Sequence, residues 1–417
     1  MESYQPRHLM APGARASGWQ RGTVVIGIVL VLLVGGSVAY AVARSDDDPA
    51  VRAGGASSTT TTEPSTTSSS TTTTLPPPRT ATIAFAGDVL IHSGVWKAAA
   101  TPTGYDFSPM LAPVAPQLSA ADLAICHLEV TLARPGEGLS SYPRFRAPRE
   151  LAADLAEAGY DGCSVASNHA LDFGEPGVVS TLDALDEAGL AHAGTARSPE
   201  ESTRPAVYQA GGIVVAQLSY AYGFNGFVRP AGKEWLADQI DPTLILADAQ
   251  AARDAGAEVV VVSMHWGDEY RHDVVEAQQT VADALAAVPG AVDLIVGHHA
   301  HVVQPISKVG EMWVVWGMGN QLSNNAPRCC PTETTDGVVV TVTIGDTADG
   351  VGVTDVAFTP TWNERATFRV LPAAATIAAG TAPELDADLR ASFERTAGYV
   401  LGLGAGELGV EPDLALP

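Results

Sequence analysis

From Thr80 onward the chain alternates short apolar runs with longer stretches whose apolar residues recur every three to four positions. The runs ATIAFAGDVL (81–90), DLAICHLEV (122–130), IVVAQLSYA (213–221), EVVVVSMHWG (258–267) and VDLIVGHHAHVV (292–303) have the length and β-branched content of buried strands. GCSVASNH (162–169), MWVVWGMGNQ (312–321) and GVVVTVTI (337–344) read the same way. Between them RELAADLAEAGY (149–160), VVSTLDALDEAG (178–189), LILADAQAARDAG (244–256) and TVADALAAVPG (280–290) carry a helical period. This alternation predicts an α/β domain with much parallel sheet over residues 80–365. Closely connected strands in 313–359 predict a second sheet or an antiparallel edge. The Ala- and Gly-rich residues 366–417, with one helix near 383–401, read as a C-terminal appendage.

The first 79 residues break this pattern. Residues 23–43 are an unbroken apolar or small run long enough to cross a bilayer as a helix. Arg7, Arg15 and Arg21 precede it, and Asp46, Asp47 and Asp48 follow soon after, which predicts residues 1–22 in the cytoplasm and the main domain outside. Ala39-Tyr40-Ala41 also offers a small-x-small cleavage site, so a secreted product is the alternative. The length of the apolar run and of the polar leader favours a retained anchor. Residues 44–79 are rich in Ser, Thr and Pro and predict a disordered linker, because they cannot bury enough apolar surface to offset chain entropy. The formal net charge of −24 repels nucleic acid and argues against such a partner. Four cysteines leave two readings open: a Cys126–Cys163 bridge or buried free thiols, with Cys329 and Cys330 adjacent.

Open α/β sheets bind ligands beyond the carboxyl ends of their strands, and the polar exceptions of this chain fall there. Gly87-Asp88 closes one run, His127-Leu128-Glu129 another, and Asn168-His169 a third, with Asp172 shortly after. His265 closes a later run, followed by Glu269; His298, His299 and His301 close the next. Of ten histidines, His92, His127, His169, His265, His298, His299 and His301 occupy such positions. One histidine at a strand end is ordinarily a hydrogen-bonded structural residue; their shared placement is what points to metal. Imidazole combined with carboxylate and amide oxygen suits Zn, Mn or Fe. A His299-x-His301 pair on a strand would turn both rings to one face. Two divalent ions about 4 Å apart activate water and stabilise a leaving oxygen. The expected ligands are Asp88, Glu129, Asn168, His265, His299 and His301, with His169 nearest the substrate and Asp172 orienting it. Arg144 and Arg146 are candidates for gripping an anionic substrate, with plain surface loop arginines as the alternative, and Glu269 is a further substrate candidate.

Taken in order, AFAGDVLIH, CHLEVTL, SVASNHALDFGEPGV, SMHWGDEY, VGHHAHVVQPI and WGMGNQLSN resemble the CapA family of capsule synthesis proteins, also called PgsA-like, over residues 80–362. The resemblance implies a metallophosphatase-like fold: a two-sheet α/β sandwich flanked by helices. It implies Asp88 as the first-strand metal aspartate, Glu129 as a second acidic ligand and Asn168 as a ligand beside catalytic His169. It implies His265, His299 and His301 as the remaining ligands. The chain departs from the pattern at His127, where the family has Asn, and after Asp88, where no His stands two residues on. His298 lies where the family varies and is left out of the ligand set. The implied function is metal-dependent hydrolysis of a phosphoester or amide-like bond in biosynthesis of an anionic exopolymer such as poly-γ-glutamate. The alternative is a non-catalytic membrane subunit or polymer-binding scaffold. The implied partners are the exopolymer or its precursor and other membrane proteins of its synthesis.

Overall fold

Apolar side chains on both faces of a strand need cover on both sides, and this requirement shapes the molecule. A computed structural model describes residues 77–325 and 329–417. The expected membrane span 23–43, the leader 1–22 and nearly all of the linker 44–79 lie outside the described residues. Among the described residues no helix is long and apolar enough to cross a membrane.

In chain order the strands are β1 (Thr80–Leu90), β2 (Ala100–Thr101), β3 (Gly104–Tyr105), β4 (Leu123–Leu128), β5 (Thr131–Leu132), β6 (Arg146–Ala147), β7 (Gly162–Ser164), β8 (Ala191–Ala193), β9 (Ala206–Ala210), β10 (Ile213–Ala221), β11 (Val259–His265), β12 (Leu294–His298), β13 (Ile306–Val309), β14 (Met312–Val315), β15 (Asn320–Ser323), β16 (Asp336–Thr347), β17 (Gly350–Asn363), β18 (Val370–Pro372) and β19 (Glu411–Pro412). One sheet runs β18-β17-β16-β1-β4-β7-β8, with β15 joining β1 and β19 joining β17. The other runs β13-β14-β12-β11-β10-β9.

The sheets share one apolar layer. Ile83 and Phe85 of β1 pack there with Ile125, Val259, Val261, Leu294 and Val296. Ala84 and Ala86 face the other way, into a cluster with Leu118, Leu151, Leu155, Leu182 and Leu185. Those leucines come from helices Ala115–Ala120, Glu150–Glu157 and Gly174–Ala188. On the second sheet Val260, Val262 and Ile295 meet Ile245, Ala249 and Leu285 of helices Pro242–Asp254 and Glu276–Ala286. The result is helix, sheet, sheet, helix, as the continuous apolar runs require. A one-residue slip of β1 would exchange its large and small side chains between the two layers, which fixes the register.

β16 and β17 form the antiparallel edge. Residues of the expected appendage dock on it: β18 and β19 pair with β17. Ile377, Leu389 and Phe393, from helices Ala373–Ala379 and Asp386–Val400, cluster with Trp362 and Leu371. MWVVWGMGNQ is not one strand. It breaks into β14 in one sheet and β15 in the other, and the crossing passes through Gly319 at φ 66°. There the backbone touches β1, since a Cβ on Gly87 would lie 2.3 Å from the Gly319 carbonyl oxygen. Only glycine allows that approach. Cys126 and Cys163 lie opposite each other on β4 and β7 and are disulfide-bonded, as are Cys329 and Cys330.

Candidate metal centre

The parallel strands of both sheets end at one place. Asp88 of β1 is in register with His127 of β4, and His265 of β11 with His298 of β12. A register shift near Asp88 re-aims the end of β1. Asp88 and His298, 210 residues apart, thereby come within 3.2 Å (Oδ1 to Nδ1).

Every donor here is buried. Asp88 Oδ2 lies 3.1 Å from His301 Nδ1 and accepts the His299 backbone N–H at 3.2 Å. Burial pushes the Asp88 carboxyl up, but the bonds to His298 and His301 outweigh it and hold it well below the usual range. His127 Nδ1 meets Ser164 Oγ at 2.8 Å, its Nε2 meets His265 Nδ1 at 2.9 Å, and its ring stacks on His298 at 3.9 Å. His265 Nε2 lies 3.1 Å from Asn168 Oδ1. Burial pushes both His127 and His265 well below the ordinary imidazole value, and neighbouring imidazoles add to it. Neutral rings are what a metal requires.

Glu129 is the exception to polar satisfaction. It is 1% exposed, and neither carboxylate oxygen has a hydrogen bond. Its Oε1 stands 3.7 Å from His301 Nε2 and 4.0 Å from His265 Nε2. Burial pushes its carboxyl well up. His299 Nδ1 is likewise buried without a partner, and burial followed by repulsion from His301 lowers that ring to about 3. Burial would lower His301, but the Glu129 and Asp88 carboxylates push it up to about 10. Unpaired buried polar atoms each cost about 1–3 kcal/mol, so several converging ones need a ligand to explain them. Two triads have donor atoms that lie within 4.8 Å of one another: Asp88, His127 and His298, then Glu129, His299 and His301. Nitrogen and carboxylate donors in such triads fit divalent transition ions.

His299 and His301 do not converge by strand alternation. β12 stops at His298, and both residues take left-handed backbone, φ 87° and 55°. The expectation of a strand pair fails because the chain turns there. Gly297 permits the turn's approach to the next strand, since a Cβ on it would lie 1.9 Å from the Trp316 carbonyl oxygen.

Beside the triads, His169 Nδ1 lies 2.7 Å from Asp172 Oδ2. That oxygen also accepts the Phe145 backbone N–H at 2.6 Å. The pairing fixes the ring and leaves Nε2 for chemistry. Arg144 donates through Nε to the Asp172 carbonyl at 2.7 Å and lies over the Phe173 ring. Arg146 is engaged by Glu137 at 3.4 Å and also covers Phe173. Both guanidinium groups thus brace the His169 loop. Glu269 is exposed. Tyr222 tilts over His299 at 4.7 Å.

Residues 82–325 match the model of the bacterial capsule synthesis protein PGA_cap. The chain belongs to that family. A capsule biosynthesis protein CapA of Bacillus anthracis is 28% identical over 177 residues, 42% of this chain and 43% of that one. A PGA biosynthesis protein CapA of Bacillus subtilis is 30% identical over 173 residues, 40% of this chain and 43% of that one. The alignments therefore span less than half of these relatives. Among solved structures, the calcineurin-like phosphoesterase YfkN of Bacillus subtilis aligns with TM-score 0.41 at 12% identity, covering 77% of this chain and all of that one.

In this PGA_cap chain all six expected ligand residues and the His169–Asp172 pair gather at the same strand ends. The expected ligand set leaves out His298 and leaves the role of His127 open. Both stand in one triad with Asp88. The signal for them was their position at strand ends, shared with every ligand that was chosen.

Proposed function

We propose that the chain is a metal-dependent hydrolase of phosphoester or amide-like bonds, serving synthesis of an anionic exopolymer of the poly-γ-glutamate type. The observation that carries this reading is Glu129, a buried carboxylate with no hydrogen bond between imidazoles. Asp88, His127 and His298 would hold one ion, and Glu129, His299 and His301 a second, with His265 and Asn168, linked to His127 through hydrogen bonds, as further donors. Such ions, Zn, Mn or Fe, supply Lewis acidity at an attacked phosphoryl or carbonyl oxygen. His169, oriented by Asp172, delivers a proton from Nε2 to the departing oxygen or nitrogen. Tyr222 walls the site against water. The relatives' names, which speak of capsule and PGA biosynthesis, support the exopolymer as partner. We place the main domain outside the cytoplasm, tethered by residues 23–43 through the linker 44–79, on the sequence pattern of that segment.

The test is hydrolysis of bis-p-nitrophenyl phosphate and of γ-glutamyl p-nitroanilide by the metal-reconstituted chain. The reading expects turnover of one of them, abolished in His169→Ala while bound metal stays at the parent level. No turnover of either with any of the three ions would overturn the hydrolase reading.

A further inference from the structure

The last of the six ordered motifs, WGMGNQLSN, supplies none of the expected ligands, yet its Asn320 lies against one of them. Asn320 opens β15, stands in register with Asp88 of β1 and is 0% exposed. Its backbone is held on both sides. The Asn363 side-chain amide donates to its carbonyl at 3.0 Å, and the Gly319 carbonyl just before it accepts the Asp88 N–H at 2.9 Å. The side chain therefore starts from a fixed point beside the strand ends of the metal centre.

Every polar atom of that side chain has a partner. Nδ2 donates to the Thr334 carbonyl at 2.9 Å and to the His301 carbonyl at 3.3 Å. Oδ1 lies 3.1 Å from His301 Nδ1. The two carbonyls decide which way the amide points. Turned over, its oxygen would face two carbonyl oxygens, and both buried donations would be lost. With the oxygen on His301, Nδ1 must carry a proton, because an unprotonated nitrogen would set one lone pair against another. Asp88 Oδ2, 3.1 Å from the same nitrogen, calls for the same proton. The lone pair of the neutral ring is then at Nε2, 3.7 Å from Glu129 Oε1. The contact with the His301 carbonyl acts on the backbone. His301 has left-handed φ, 55°, which non-glycine residues rarely adopt. One amide thus grips both the turn at His301 and its ring.

We propose that Asn320 is a positioning residue for the triad of Glu129, His299 and His301: it keeps a proton on His301 Nδ1 and leaves Nε2, on the Glu129 side, as the ligand atom. It acts through His301 and touches no substrate. Asp88 is the weaker holder of that proton in the loaded protein, since an ion in the first triad draws on the same carboxylate. The proposal rests on the two-ion reading and adds a residue to it.

The experiment is chelator competition on the full chain loaded with Zn, which reads the affinity of each ion, with metal stoichiometry measured alongside. Removing the hydrogen-bond partner of a metal-bound imidazole weakens binding about ten- to a hundredfold. In Asn320→Leu one of the two equivalents should weaken by that factor, and the other should stay at the parent affinity. Asn320→Asp keeps an oxygen on His301 Nδ1 while losing the donors to the two carbonyls, and should hold both ions like the parent. Asn320→Ala replaces Asn320→Leu if that variant does not fold. A folded variant without the acceptor that holds both ions like the parent would overturn the proposal. So would an Asn320→Asp variant as weak as Asn320→Leu, since the amide would then only brace the Thr334 turn. A parent chain that takes up fewer than two equivalents refutes the two-ion reading itself, and the proposal falls with it; the parent measurement alone tells the two failures apart.

Discussion

Substituting Glu129→Gln keeps the shape of the side chain and removes its charge. In the metal-free protein burial favours the protonated carboxyl, so the folded chain holds a proton that the unfolded chain releases above the ordinary value of 4.5. A folded-state value raised in this way makes stability fall as pH rises above 4.5, by at most about 1.4 kcal/mol per pH unit from this group. Glutamine does not titrate and escapes that loss. The metal-free variant should therefore be more stable than the parent by about 1–3 kcal/mol at pH 7. With metal the sign reverses. Each tenfold loss of affinity removes about 1.4 kcal/mol of ligand-linked stability, and losing an anionic ligand should cost more than one such step. Urea unfolding of parent and variant, with chelator and with saturating Zn, Mn or Fe between pH 5 and 8, reads both signs. If the variant is less stable than the parent without metal, or if their difference does not grow with pH, Glu129 is an ordinary structural carboxylate and the reasoning fails.

Asp172→Ala strips the acceptor from the Phe145 N–H and from His169 Nδ1, both buried. It should cost about 2–4 kcal/mol in denaturant unfolding and at least about a hundredfold in turnover, with bound metal unchanged. His298→Ala should lower bound metal measured by emission spectrometry. His272→Ala, whose ring stacks on Tyr399 at 3.5 Å away from the triads, should leave metal content at the parent level. Gly297→Ala forces a Cβ to within 1.9 Å of the Trp316 carbonyl oxygen and should destabilise by about 3 kcal/mol or more in thermal melts. Gly138→Ala, with nothing within 4 Å of its added Cβ, should leave the melt unchanged.

The strands that could be read from the sequence are those whose apolar runs are covered on both faces, such as β1, β4, β10 and β11. Their runs are long, with few polar residues before the site. β17 was harder to see, because its first half is partly open to solvent and it lacks such a run. Site residues were legible because metal donors are too costly to bury without purpose and therefore stand out at strand ends. How they meet was not legible. Asp88 reaches His298 through the juxtaposition of two sheets and a register shift in β1, which no local pattern encodes. His299 and His301 converge through left-handed backbone, which non-glycine sequence does not announce. Arg144 reads as a loop cation, and its Nε donates to the Asp172 carbonyl, a partner no local pattern announces.

The central claim is that the two buried triads hold divalent ions, and metal stoichiometry of the purified full chain tests it most directly. The account predicts close to two equivalents of Zn, Mn or Fe per chain after reconstitution, falling in an Asp88→Ala variant and in a Glu129→Ala variant that both remain folded. A folded parent chain that, offered each of the three ions, retains no more metal than these variants would contradict it.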